Sequence, residues 1–383
     1  MAESSAIAPP ETPLWETYAA QFPVAKRLIY LNHAAVAPLS KPAADAMRWL
    51  VEDNELNGSL HFDRWLAAYA GLRGCSARLI NADASEIAIV KNTSEGIATV
   101  ANGFDWKPGD RAVVFNEEFP ANFYPWQRLA ARGVQLDAMS VHDPLDRIEQ
   151  AVKGARLLAI SFVQYLSGYR APIAEIGAIC ASHGCFFFVD AIQGLGAFPL
   201  DVERCRIDAL ATDGHKWLVA PEGCGILYVR SEWLDRIDPV EFGYTNVANA
   251  ANYGERTDKL RAGAARYEPG TLNTAGIFGL RASIDLLLEV GIGGIAEVLI
   301  ALTDQIGAGA RGRGYEVMWH GTAATGSGII SIRHPRIAAG VLYGTLKDRR
   351  IVASPRSGWL RLSPHFYVSP DAIDEFLDAL PPV

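Results

Sequence analysis

Short apolar runs alternate along this chain with longer stretches whose apolar positions recur at helical spacing. The runs at 112–115, 134–139, 157–163 and 186–189 read as strands, and the segments 121–132, 143–153 and 173–183 as the helices between them. Strand–helix alternation predicts a parallel, doubly wound α/β sheet. The run Phe186-Phe-Phe-Val189 has no polar position, as a strand buried on both faces requires. Upstream lie a short strand at 27–31, a loop of small residues at 32–40 and a helix capped by Ser40 through about residue 54. A helix at 61–80, a strand at 86–90 and a helix ending near 103 follow. Downstream, apolar runs at 209–211 and 225–229 flank a polar turn. The segment 241–266 has little periodicity and reads as a long loop, a kind usually tied to function. Helices to about 290 and from 295 to 310 precede short strands and helices at 329–332, 338–346, 360–362 and 370–380. The organisation this predicts is a loose tail over 1–20, a large domain over 21–290 and a small α+β domain over 291–383.

Composition narrows the class. Half of the 383 residues are hydrophobic, which allows a substantial core. The net charge of −8, with both signs interspersed, argues against nucleic acid or an anionic membrane as partner. No apolar run in the sequence reads as long enough to span a bilayer. The first residues lack the charged and apolar regions of a signal peptide. The five cysteines, Cys75, Cys180, Cys185, Cys205 and Cys224, are odd in number and without C-x-x-C spacing. Reduced thiols and a cytoplasmic location are the expectation.

Candidate chemistry sits where strands end. Lys216 lies in the turn between the runs 209–211 and 225–229, flanked by His215 and Trp217. Partly apolar surroundings lower a lysine's pKa and free its amine to attack a carbonyl; the bland alternative is a surface lysine at a hairpin tip. Asp190 ends the strand 186–189, at the edge where open α/β sheets bind ligands, though it also suits a plain N-cap. An acid and a lysine at successive strand ends suggest pyridoxal phosphate, whose aldehyde takes a lysine and whose ring nitrogen takes an anion. Thr93, Ser94 and Glu95 open the helix after the strand 86–90, which makes either an anion site or an ordinary cap. It is not a P-loop, and no strand is followed by G-x-G-x-x-G, so a dinucleotide-binding reading fails. His33 is either a site residue or a loop anchor. Phe119 either packs on a planar ring or fills core. Arg361 faces opposite to Leu360 and Leu362 on a strand, placed for a carboxylate or for a rim salt bridge.

Val189-Asp-Ala-Ile-Gln193 followed by Asp213-Gly-His-Lys216 resembles the class V aminotransferase family of pyridoxal-phosphate enzymes. That family includes cysteine desulfurases, selenocysteine lyases and isopenicillin N epimerase. The resemblance runs from about residue 28 to 376. It implies fold type I and a homodimer with active sites at the subunit interface. It implies Lys216 as the cofactor's lysine, Asp190 as partner of the ring nitrogen and Gln193 as a contact to the ring's phenolic oxygen. Thr93, Ser94, Glu95 and His215 match phosphate contacts, and Thr271 matches one supplied from the neighbouring subunit. Arg361 matches the arginine for the substrate's α-carboxylate, with Arg356 on the preceding loop as its competitor. Three departures stand out. Phe119 replaces the histidine that desulfurases stack on the ring. Asp213 replaces a serine common beside the His-Lys pair. Segment 344–361 has no cysteine where desulfurases carry a nucleophilic one, which counts against persulfide-forming desulfuration. The implied activity is aminotransferase-like chemistry on an amino acid through its Cα carbanion, with C–S β-lyase or epimerase as alternatives. A non-enzymatic scaffold is disfavoured by the retained Lys216 and Asp190.

Overall fold

The computed structural model describes residues 12–318 and 321–383. Its strands in chain order are β1 (Ile29–Tyr30), β2 (Ile87–Val90), β3 (Arg111–Phe115), β4 (Gln135–Met139), β5 (Leu157–Ser161), β6 (Phe186–Asp190), β7 (Ala209–Asp213), β8 (Gly225–Val229), β9 (Glu316–Val317), β10 (Ile330–Arg333), β11 (Ile351–Val352), β12 (Ser354–Arg356) and β13 (Trp359–Leu362). The central sheet has the order β2-β8-β7-β6-β5-β3-β4. Strands β7, β6, β5, β3 and β4 run parallel, as the alternation predicts. β8 is antiparallel to both of its neighbours. The connection 214–224 is too short for the crossover that a parallel neighbour of β7 would need, so the chain turns back on itself there.

Burial on both faces explains the unbroken apolar strands. Phe187 and Val189 of β6 point into one apolar layer, Phe186 and Phe188 into the other. A smaller antiparallel sheet, β12-β13-β10-β9, lies wholly beyond residue 290. We place the boundary between the large and small units there, between the helices Thr274–Val290 and Ile292–Gly312. The N-terminal segment crosses that boundary. β1 pairs in parallel with β11, and Asn32 bridges to Ser363.

Three expectations need correction. The helix predicted over 121–132 is three short pieces, Pro120–Asn122, Tyr124–Arg128 and Leu129–Arg132, because Pro120 and Pro125 each restart the backbone. Part of the predicted tail lies outside the described residues, but Leu14–Thr17 and Ala19–Gln21 are helical turns. Helix Ile292–Gly312 is long and apolar enough to cross a membrane, which the sequence reading missed. Its Ile295, Leu299, Leu302 and Ile306 are instead buried in the protein core, the stripe of an amphipathic helix that packs on protein.

Candidate active site

The carboxyl ends of β6 and β7 open into a cavity of about 460 Å³, within the usual size for a small-molecule site. Lys216 enters it from the connection after β7. That connection is held tightly. Gly214 N–H donates to Cys224 O at 3.0 Å, Ala220 N–H to Gly214 O at 3.0 Å, and Ala37 N–H to His215 O at 2.7 Å. Trp217 is buried and donates its indole N–H to Gln193 Oε1 at 2.9 Å. Val219 sits at φ 45°, a conformation that β-branched residues rarely adopt. The lysine is therefore fixed at its base and free at its tip.

Electrostatics prepare it further. Burial lowers the Lys216 ammonium to about 8; Asp190 pulls it back up, and Arg361 adds to the lowering. Asp190 is 2 % exposed, and its Oδ1 accepts from Ile192 N–H at 3.1 Å. Burial pushes its acid up to about 6, against the opposing pull of that amide and of Lys216. A buried carboxylate in this position is completed by a cation, and a protonated pyridine nitrogen is one.

Arg361 alternates as the sequence predicts. Leu360 and Leu362 are fully buried on one side, and Arg361 lines the cavity on the other. Its Nη1 donates to Tyr165 O at 2.7 Å, while Nε is buried without a partner. Among the described residues no carboxylate pairs with it. Burial and the charge of Arg356 lower it to about 10. Arg356 is exposed and stands at the cavity rim. Two guanidinium groups without an acid between them form an anion pocket.

The start of a helix forms another part of the cavity wall. Helix Thr93–Gly103 begins at the cavity, with Thr93 and Ser94 in its lining. First-turn amides have no intrahelical acceptor. Asn92 Oδ1 satisfies the amide of Glu95 at 2.9 Å, which leaves those of the residues before it. Thr93 Oγ1, Asp213 Oδ1 and His215 Nδ1 are buried without hydrogen-bond partners. Unpaired buried polar atoms are costly. This set, with Lys216 and Asp190, fits a phosphorylated pyridine aldehyde. Gln193 is mostly spent on structure, since Nε2 donates to Ala34 O at 3.0 Å and Oε1 accepts from Trp217. One amide N–H remains for a ligand.

The cavity thus brings together Lys216, Asp190, Gln193, Thr93, Ser94, Asp213, His215, Phe119, Arg361 and Arg356. Three candidates lie elsewhere. His33 is fully buried, its two ring nitrogens 2.9 Å from Ser363 O and 2.8 Å from Tyr367 Oη. It anchors the loop and does not line the cavity. The Glu95 carboxylate turns back to the Lys91 amide and lies 3.1 Å from Lys91 Nζ. Thr271 lies in a separate hollow with Lys91 and Glu95.

Phe119 is 47 % exposed, with its ring centroid 5.7 Å from Lys216 Nζ and edge-on to Tyr165. Its loop is stapled from both sides by acids the sequence reading passed over. Glu117 accepts from Ser140 Oγ at 2.8 Å and Val141 N–H at 3.0 Å. Glu118, buried, accepts from Ser161 N–H at 2.6 Å and from the Ser161 hydroxyl. Burial pushes Glu118 up to about 8, opposed by the Ser161 contacts and reinforced by the nearby charge of Asp190. Doubled acids in a loop look like solvated charge, so only their position beside an aromatic hinted otherwise.

The sequence matches the family Aminotransferase class-V over residues 29–358. A probable cysteine desulfurase of Methanothermobacter thermautotrophicus is 34 % identical over 296 residues, covering 75 % of this chain and 73 % of that protein. One from Pyrococcus abyssi is 29 % identical over 384 residues, 94 % of each chain. The apo structure of a cysteine desulfurase from Thermococcus onnurineus NA1 superposes with a TM-score of 0.87 at 27 % identity, covering 95 % of this chain and 96 % of that one. With its lysine and acid at adjoining strand ends, this chain belongs to the class V aminotransferase family and is an enzyme dependent on pyridoxal phosphate.

Proposed function

We propose that this enzyme cleaves the Cβ–S bond of a sulfur-containing α-amino acid and releases the sulfur without a thiol of its own. The observation that carries this reading is a cavity with a lysine, an acid and an arginine that pairs with no carboxylate but, among the described residues, no cysteine. All five cysteines are buried. The names of the relatives support sulfur chemistry, against the expectation drawn from the cysteine-free segment 344–361. The two agree if sulfur departs directly into solution. Bound pyridoxal phosphate supplies an electron sink for the pair left when Cα–H breaks. Arg361 holds the α-carboxylate. Lys216, displaced by the substrate's amine, takes the Cα proton, its lowered basicity suiting transfer near neutral pH. Asp190 keeps the ring nitrogen charged. Phe119 covers the lysine and can neither give nor take a proton. Transamination is the second reading; it needs no leaving group and no thiol, which the same cysteine-free cavity favours. We also propose a homodimer in which Thr271, exposed and apart from Lys216, serves the cavity of a second copy.

The test is a product panel. Purified enzyme should convert L-cysteine to sulfide, or L-cystine to cysteine persulfide, with ammonia and a three-carbon keto acid formed in equal amount and no amino-group acceptor required. A variant with all five cysteines replaced should keep its cofactor and most of that rate. Keto acid formed only with an amino-group acceptor, without sulfur release, would select transamination. Loss of sulfur release on replacing one cysteine, with the fold intact, would restore a protein persulfide.

Arg361→Lys should raise the apparent substrate constant about tenfold to a hundredfold, matching the roughly 1.5–3 kcal/mol of hydrogen bonds to charged groups. The spectrum of the bound cofactor should not change. Comparing each substrate with its amide assigns the role. If Arg356→Lys loses the preference for the acid and Arg361→Lys keeps it, the anchor is Arg356.

A further inference from the structure

The phosphate end of the cavity contains an anion of its own. Asp213 ends β7, is 3 % exposed, and has no hydrogen-bond partner for Oδ1. Its Oδ2 lies 3.1 Å from His215 Nδ1, off the line of a hydrogen bond. Thr93 and Ser94, in the first turn of helix Thr93–Gly103, line the same cavity, and Thr93 Oγ1 is unpartnered. A carboxylate beside a phosphate dianion repels it unless a proton stands between them. The imidazole of His215 is the group placed to hold that proton. It reaches Asp213 with one nitrogen, and the other has no partner among the described residues.

We propose that Asp213 and His215 act as one proton-linked clamp. When a phosphate dianion enters, the pair takes up a proton from solvent, which leaves an imidazolium between carboxylate and phosphate. Asp213 is thus a positioning residue that fixes the charge of His215. A serine at 213 would offer the phosphate a neutral hydroxyl and require no proton. The other charged or titratable side chains lining the cavity are Lys216, Asp190, Arg356, Arg361 and Tyr165, and Cys224 lies within electrostatic range of Asp213. They are common to the native enzyme and the variants below. The inference concerns cofactor capture and is independent of which amino acid is the substrate.

The probe is 4-deoxypyridoxine 5′-phosphate, which lacks the aldehyde and forms no bond to Lys216. A phosphate monoester's second pKa is about 6, so at pH 8 the ligand enters as the dianion. Titration calorimetry of the cofactor-free full chain, in buffers of different ionisation enthalpy, counts protons taken up. The native protein should take up about one proton more per ligand than Asp213→Ser, and its affinity should fall about tenfold per pH unit on the alkaline side relative to that variant. Asp213→Asn, closer in shape, should behave as the serine variant does. In the loaded enzyme at pH 8, the ¹⁵N signals of His215 should report an imidazolium in the native protein and a neutral ring in either variant. Equal proton uptake in all three proteins, or a neutral His215 in the native enzyme, would overturn the proposal.

Discussion

Lys216→Ala is expected to lower turnover on the order of 10⁴-fold or more and to leave no covalently held cofactor. The magnitude is the upper end for a positioned proton carrier, and the same side chain also makes the covalent link. Among the described residues no second amine is placed to substitute, since Lys216 is the one lysine of them that lines the cavity. Folding should be little affected, because the connection is held by backbone bonds and by Trp217 rather than by the lysine tip. Borohydride treatment followed by peptide mass analysis reads the linkage, and cofactor reduced onto another lysine would disprove the assignment. In the native protein at saturating cofactor, formation of the covalent link should quicken as pH rises through about 8. Raising the pH through a lowered lysine pKa increases the free amine, the form that attacks.

The second large effect is expected for Asp190→Asn. Asparagine can still accept the Ile192 amide with its carbonyl oxygen, so the local turn is kept. What is lost is the negative charge that holds the ring nitrogen protonated. Turnover should fall on the order of 10²–10³, the range for removing one preorganised electrostatic contact. The cofactor should stay bound, since Lys216 and the helix turn at Thr93 hold it elsewhere. The substitution also removes a buried acid whose pKa burial raises to about 6. An acid raised on folding costs stability as pH rises above its unfolded value and costs it in full above its folded value, so without cofactor the variant's thermal stability at pH 8 should not drop. Near-native turnover with cofactor bound would refute the electronic role; a fall in melting temperature matching the loss of activity would make it structural.

What the sequence discloses and what it hides follow from distance along the chain. Lys216 and Asp190 stand out because each ends a run whose apolar pattern marks a strand, and strand ends are where this architecture gathers ligands. Arg361 is legible by alternation within a few residues. His33 is not, because the groups that claim its nitrogens lie 330 and 334 residues away. Glu95 looks like part of an anion site until its local partner Lys91 is seen to take its carboxylate. Glu118 was missed because nothing near it in sequence reveals burial against Ser161. The broken helix at 121–132 was within reach, since Pro125 alone removes a donor from its interior.

The pairing of β1 with β11 also sets an order of events during synthesis. Residues 29–30 leave the ribosome early, yet their strand partner is at 351–352 and the bond to Ser363 comes later still. At about 5–20 residues per second, that is a wait of roughly 15–60 s. Through that interval the loop carrying Ala34 to Val36, one wall of the cavity, has no partner strand to hold it. The central sheet from β2 to β8 spans residues 87–229 and has its partners well before then. The binding cavity is therefore among the last parts of the molecule to exist. A chain cut short before residue 351 would retain the sheet that carries Lys216 and Asp190 while lacking both Arg361 and the strand that β1 needs.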